Sequence, residues 1–259
     1  MRRVLLPIAV LVALAGLWEI LARTGALADM FGISEAASDL LVPAPSQVAE
    51  ALWEDRDLLV DNGWVTLKEL LAGFALSVVL GVAFAIALHL SDTLRRAFYP
   101  LLVASQTIPI VAIAPVLVIW LGFGIGPKLA VIALICFFPI TVNTLDGLRS
   151  VDPAAIRMMR TLDAGRLAIL RRLELPAALP AFFSGAKVAI AIAAIGAVFG
   201  EFVAADEGLG NLIKEAQAQL LTARVFAAVA VLSAFAIGLF ALLSALERRF
   251  AWWGPRELG

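Results

Sequence analysis

The stretch LLAGFALSVVLGVAFAIALHL, Leu70 to Leu90, contains no Asp, Glu, Lys or Arg. A run of about 20 mainly apolar residues is what a helix needs to cross the hydrocarbon core of a bilayer. It is too long for a strand, and its polar residues do not alternate with apolar ones. A helix that satisfies its own backbone is therefore the form it predicts.

Five more such runs lie around it: Val4–Leu21, Leu101–Leu121, Leu129–Asn143, Ala181–Ala204 and Val225–Leu246. Leu129–Asn143 is the least regular, because Pro139 interrupts it. Of the 259 residues, 62% are hydrophobic and 16% charged, with mean hydropathy +0.97. Soluble domains are about half apolar and about a quarter charged. The expected fold is an all-α polytopic membrane protein with about six transmembrane helices. Met1-Arg2-Arg3 before an apolar run resembles a signal peptide, but the run is as long as a span and no small-x-small cleavage site follows it cleanly. It is read as the first helix, residues 1–22. Residues 23–65 are then an outer loop with a short amphipathic helix, and 66–259 the core.

The net charge of −1 offers no basic excess for nucleic acid. One cysteine, Cys136, forms neither an internal disulfide nor a metal site. His89, near a helix end, reads as a surface or interfacial histidine. With the N-terminus in the cytoplasm, inside segments hold 13 of the 20 Lys and Arg, from Arg2 to Arg256. Outside segments hold six: Arg23, Arg56, Lys68, Lys128, Lys214 and Arg224. That split places both termini inside.

Two outside segments stand out. In the first, Ser46 suits the cap of a helix through Val48, Leu52 and Trp53. In the second, residues 205–223, Gly208-Leu209-Gly210 precedes an amphipathic helix, Leu212–Leu221. Each reads as an interfacial helix or as a docking surface for an external partner.

The longest inside loop is residues 144–177. Asp152 and Pro153 suit the cap and first turn of a helix. Ile156, Met159 and Leu162 then fall on one stripe. Asp163-Ala164-Gly165 breaks that helix, and Arg166–Leu173 starts another, which Leu175-Pro176 closes. An apolar stripe with a basic rim fits a partner's groove; the alternative is contact with anionic lipid.

This loop resembles the Glu-Ala-Ala loop of bacterial ABC importer permeases: Glu-Ala-Ala, three residues, Gly, nine residues, Ile, one residue, Leu-Pro. Arg157-Met158-Met159 take the first three places, Asp163 the Gly place, Leu173 the Ile place and Leu175-Pro176 the last two. Arg160-Thr161-Leu162 also resembles the family, and Ala164-Gly165 continues the turn. Arg157, the two methionines and Asp163 depart from its pattern. The resemblance implies a type I importer permease fold whose cytoplasmic coupling helix docks into a cleft of an ATPase subunit.

The likeness extends over nearly the whole chain. Val42-Pro43-Ala44-Pro45-Ser46, Gly73-Phe74, Gly81, and Glu201 with Gly208–Ile213 resemble nitrate, sulfonate and taurine permeases. Ser105–Pro115 with Trp120–Gly124 resembles the branch associated with thiamine pyrimidine precursors and, in near relatives, riboflavin. The family implies two permeases, here a homodimer in the bacterial inner membrane, with two ATPases and an external binding protein. No G-x-x-x-x-G-K-[ST] occurs, so ATP is expected to be bound and hydrolysed by another chain, and no cofactor is expected in this one.

Polar residues inside spans are costly and rare. Gln106 and Thr107 precede Pro109, and Pro115 follows; they face either a polar cavity or a neighbouring helix. Asn143 invites the same two readings. Lys187 snorkels to the inner interface, pairs with a carboxylate on a neighbouring helix or lines the path. Glu201 matches a family position and suits an outer gate or helix packing. No nucleophile–base pair or metal-ligand cluster is visible, so no catalytic role is assigned. A secondary transporter is the rival class, but no clear repeat appears and only Lys187 lies deep.

Overall fold

The computed structural model describes residues 2–25 and 41–253, and every regular element among them is helical. In chain order these are α1 (Arg2–Arg23), α2 (Pro45–Glu54), α3 (Arg56–Leu90), α4 (Asp92–Ser105), α5 (Ile110–Leu121), α6 (Ile125–Arg149), α7 (Pro153–Thr161) and α8 (Arg166–Ile169). A π-turn, Leu170–Glu174, follows, and then α9 (Leu175–Ala204), α10 (Leu209–Ala218) and α11 (Thr222–Phe250). Among the described residues four helices are long and apolar enough to span a bilayer: α3, α6, the continuous run Arg166–Ala204, and α11. The pair α4 and α5 makes a fifth if it counts as one span. The first expected span is helical, as α1.

Three boundaries differ from the sequence expectation. The third span is two helices bent by 105°. Pro109 has no N–H and disfavours helix in the residue before it. The N–H groups of Gln106, Thr107 and Ile108 turn back to the carbonyls of Val103, Ala104 and Ser105, three residues away, and Pro109 then opens α5. The second span is part of a longer helix, because α3 begins at Arg56, inside the expected outer loop. Leu175-Pro176 does not close a helix either. The chain widens into the π-turn, where Leu175 N–H reaches the Leu170 carbonyl five residues back. A wider turn accommodates a residue with no N–H and a bulky ring, so the helix runs on into the fifth span.

The chain forms two compact units, Met1–Thr66 with Asp206–Leu232, and Leu67–Ala205 with Ser233–Gly259. In the first, Ser46 does not cap α2. Ala44 occupies the cap, its N–H donating to Gln47 Oε1 at 2.8 Å. Ser46 instead donates from Oγ to Glu19 Oε1 at 2.8 Å and accepts from Arg23. Arg224 grips Asp55 with two bonds of 2.7 and 2.8 Å. The start of α10 is capped from α3, with Gly208 N–H on Asn62 Oδ1 and Leu209 N–H on Thr66 Oγ1, both at 2.8 Å. The second outer helix thus starts at Leu209, and Leu209, Leu212, Ile213 and Ala216 are buried.

The second unit has an apolar core of Leu70 from α3, Ile132, Cys136 and Ile140 from α6, and Ala189, Ile190, Ala193 and Ala197 from α9. Its helices approach at glycines. A Cβ at Gly185 would stand 2.5 Å from the Pro139 carbonyl oxygen, and one at Gly147 2.9 Å from Ala178 Cα. Small residues permit such contact in lipid, where packing and not water exclusion holds helices together.

Between α6 and α9 stands α7. Asp152 caps it, accepting from Ala154 N–H at 2.8 Å, and Pro153 takes the first helical place. Its end is a Schellman motif: Ala164 N–H bonds the Met159 carbonyl and Asp163 N–H the Arg160 carbonyl, with Asp163 at φ 56°. That conformation favours glycine.

Gly185→Ala is expected to destabilise the protein by about 1–3 kcal/mol, the cost of overpacking, whereas Gly238→Ala, whose Cβ meets nothing within 4 Å inside α11, is expected not to lower the thermal midpoint in detergent, since alanine is the better helix former. Asp163→Gly is expected to stabilise α7 by about 1 kcal/mol, measured as slower amide hydrogen exchange in Pro153–Thr161.

Candidate functional site

The segment between α6 and α9 presents one face outward and buries the other. Outward stand Met158, 67% exposed, and Leu162, 73% exposed, with Arg157, Arg160, Thr161 and Asp163 around them and Gly165 and Leu167 following. Ile156, Met159 and Ala164 are half-buried. The expected stripe of Ile156, Met159 and Leu162 is therefore split: its first two members turn partly inward, and Met158 joins Leu162 outside. Leu173 and Pro176 lie half-buried on the return.

The inward face is anchored by apolar and ionic contacts. Leu148, Leu170 and Ala178 form a buried cluster joined by Ile86 and Leu175. Beside it, in the π-turn, Glu174 is buried, its side chain 1% exposed. Arg166 Nη1 donates to Glu174 Oε1 at 2.6 Å, and His89 Nε2 stands 2.9 Å from Oε2. His89 is therefore no surface histidine; its side chain is 9% exposed. Sequence reasoning missed this because the partner arrives through a helix that the Leu-Pro pair was expected to end.

The five polar candidates of the spans are not gathered into one site. Gln106 and Thr107 are exposed at the 105° bend, Thr107 Oγ1 donating to the Ala104 carbonyl at 2.8 Å. Asn143 donates to the Pro139 carbonyl at 2.8 Å and lies against Gly185. Lys187 is found paired, with Glu247 of α11 at 2.8 Å. Glu201 is fully buried within α9.

One pair was not foreseen. Lys128 is buried, its Nζ 2.7 Å from Glu69 Oε1. It stands at the edge of an apolar run, where a lysine reaching into the outer interface is the ordinary expectation. Only the tertiary placement of α3 against α6 supplies Glu69.

Residues 77–252 match the family model described as binding-protein-dependent transport system inner membrane component. The chain is similar to the formylaminopyrimidine transport permease protein ThiX of Halalkalibacterium halodurans, 37% identical over 93% of this chain and 92% of that one. It is 38% identical to the riboflavin transport system permease protein RibX of Chloroflexus aurantiacus, over 82% and 80% of the two chains. Among solved structures, an inward-facing conformation of the MetNI methionine ABC transporter shares the fold, with a TM-score of 0.63 at 20% identity over 78% of this chain and 99% of that one. The chain therefore belongs to the family of binding-protein-dependent transport system inner membrane components, as the permease subunit of an ABC importer that is not itself an enzyme and leaves ATP hydrolysis to a separate ATPase.

Proposed function

We propose that this permease forms the path for a small pyrimidine-like solute, a thiamine precursor of the hydroxymethylpyrimidine type, delivered by an external binding protein. The match to ThiX over nearly the whole of both chains supports this substrate class. A riboflavin importer is the second reading, favoured by the match to RibX; sulfonate, taurine or nitrate rank after it. The chain pairs with a second copy of itself, keeps both termini in the cytoplasm and carries no cofactor of its own. ATP binds to the partner subunit.

Residues 144–177 are the coupling loop in this reading. The observation that carries it is a short helix, capped at both ends, that holds Met158 and Leu162 out between two long spans. Apolar side chains on a fixed helix suit a groove on a partner, and Arg157 and Arg160 supply a basic rim. Gln106, Thr107, Asn143, Lys187 and Glu201 remain the path candidates, with Thr107, Asn143 and Lys187 already engaged by protein groups.

Met158→Glu with Leu162→Glu is expected to abolish copurification of the ATPase while leaving membrane insertion and yield unchanged. Retained copurification would show that the docking surface lies elsewhere. In proteoliposomes holding the permease, its ATPase and its binding protein, ATP turnover is expected to rise with a hydroxymethylpyrimidine-type ligand and not with taurine. A response to riboflavin alone would establish the second reading.

A further inference from the structure

The cluster Arg166–Glu174–His89 is not accounted for by docking. Its centre is a carboxylate buried in the π-turn that leads from the coupling segment into α9. Burying a carboxylate is expensive unless its oxygens find charged or donor partners. Here the two oxygens are divided between two different parts of the unit. Oε1 takes a guanidinium bond of 2.6 Å from Arg166, the first residue after the turn that ends the coupling helix. Oε2 faces the imidazole of His89, in the last turn of α3, at 2.9 Å. The Arg166 bond is charge-assisted and directional, and so fixes position more firmly than the apolar cluster beside it, while the imidazole sets the second oxygen against α3 at 2.9 Å. Removing Arg166 leaves a buried carboxylate short of its charged partner.

We propose that Glu174 is a positioning residue of the coupling machinery: it ties the return limb of the coupling segment to the inner end of α3, so that displacement of α7 moves α3 and α9 together. The proposal rests on the coupling reading of residues 144–177. It goes beyond that reading, because it names the link that carries a displacement inward rather than the surface that receives it. The π-turn has a reason in this account. It widens the helix at the residue where Glu174 meets both Arg166 and His89, and it does so beside Pro176, where the i−4 hydrogen bond is already missing.

The test uses the full chain in complex with its ATPase, with Cys136→Ala and spin labels at Ala154→Cys and Leu90→Cys, both exposed positions. The distance between labels is read by pulsed electron resonance without nucleotide and with ATP and vanadate. With the tie intact the distance distribution is narrow and the same in both states. Arg166→Gln, at the half-exposed partner and therefore mild for folding, is expected to broaden it and make it nucleotide-dependent while the ATPase still copurifies. Arg166→Lys, which keeps the charge, restores the narrow, invariant distribution. Glu174→Gln is expected to behave as Arg166→Gln does. A distribution unchanged in Arg166→Gln, with only yield or thermal midpoint lowered, would overturn the proposal and leave the cluster a packing feature. If no ATPase binds even the parent chain, the coupling reading fails instead; the nucleotide-free widths of the parent and Arg166→Gln then still decide whether the tie exists.

Discussion

The arrangement of the second unit depends on how near α6 and α9 come to one another. At Gly147, Gly185 and Gly200 a methyl group would fall 2.9, 2.5 and 3.1 Å from backbone atoms of the facing helix. Lipid gives helices no hydrophobic reason to associate, since a bilayer tail is as apolar as a leucine. Dispersion over a close contact must serve instead, and it is gained only when the backbones can touch. The glycines and alanines along one side of α9 supply that surface. α3 uses the same device on a smaller scale, with Gly73 against Ile132 and Gly81 against Ile140 and Thr141. Three helices are held against one another in this way.

Charge is placed with equal economy. α3 holds Glu69 just before its uncharged run and His89 near its end, and each meets a partner from another part of the same unit. At 1.5 Å per residue the two lie about 30 Å apart along the helix, which is the thickness of the hydrocarbon core. Between them Leu70 to Leu88 carries no charge at all. The ionic pairs therefore stand where the apolar slab ends. There the cost of desolvation is lower than at its centre, and water and headgroups relieve part of it.

The spans themselves were legible because a long uncharged run has few other uses. The capped start of α7 was legible because Asp-Pro is local chemistry, and the observed bond from Ala154 N–H to Asp152 bears it out. What the sequence hid was tertiary. Lys128 looked like a loop lysine until α3 brought Glu69 to it. His89 gave no sign of a carboxylate neighbour until the π-turn delivered Glu174. Ser46 looked like a cap, but Glu19 and Arg23 claim its hydroxyl and leave Ala44 at the helix start. Leu175-Pro176 was the most misleading signal. Proline usually ends a helix, yet a π-turn upstream lets the chain absorb it, and no local rule distinguishes the two outcomes.

The departures of residues 157–163 from the family pattern become physical statements once their geometry is known. The family's glycine falls at the position that closes α7, where the backbone is left-handed. Asp163 holds that conformation at φ 56°. Aspartate is among the few residues that tolerate it, at some cost relative to glycine. The motif position is thus a demand on backbone shape rather than on side-chain chemistry, and aspartate meets the demand imperfectly but sufficiently. The family's Glu-Ala-Ala becomes Arg157, Met158 and Met159, of which Arg157 and Met158 point outward and Met159 is half-buried. These are demands on a contact surface, and a surface can change if its partner changes with it. Methionine suits such a change, since its flexible thioether adapts to an altered groove better than a branched side chain does. The two kinds of departure therefore differ: the first is answered within this chain by a closed turn, and the second lies on an outward face whose shape this chain does not close by itself.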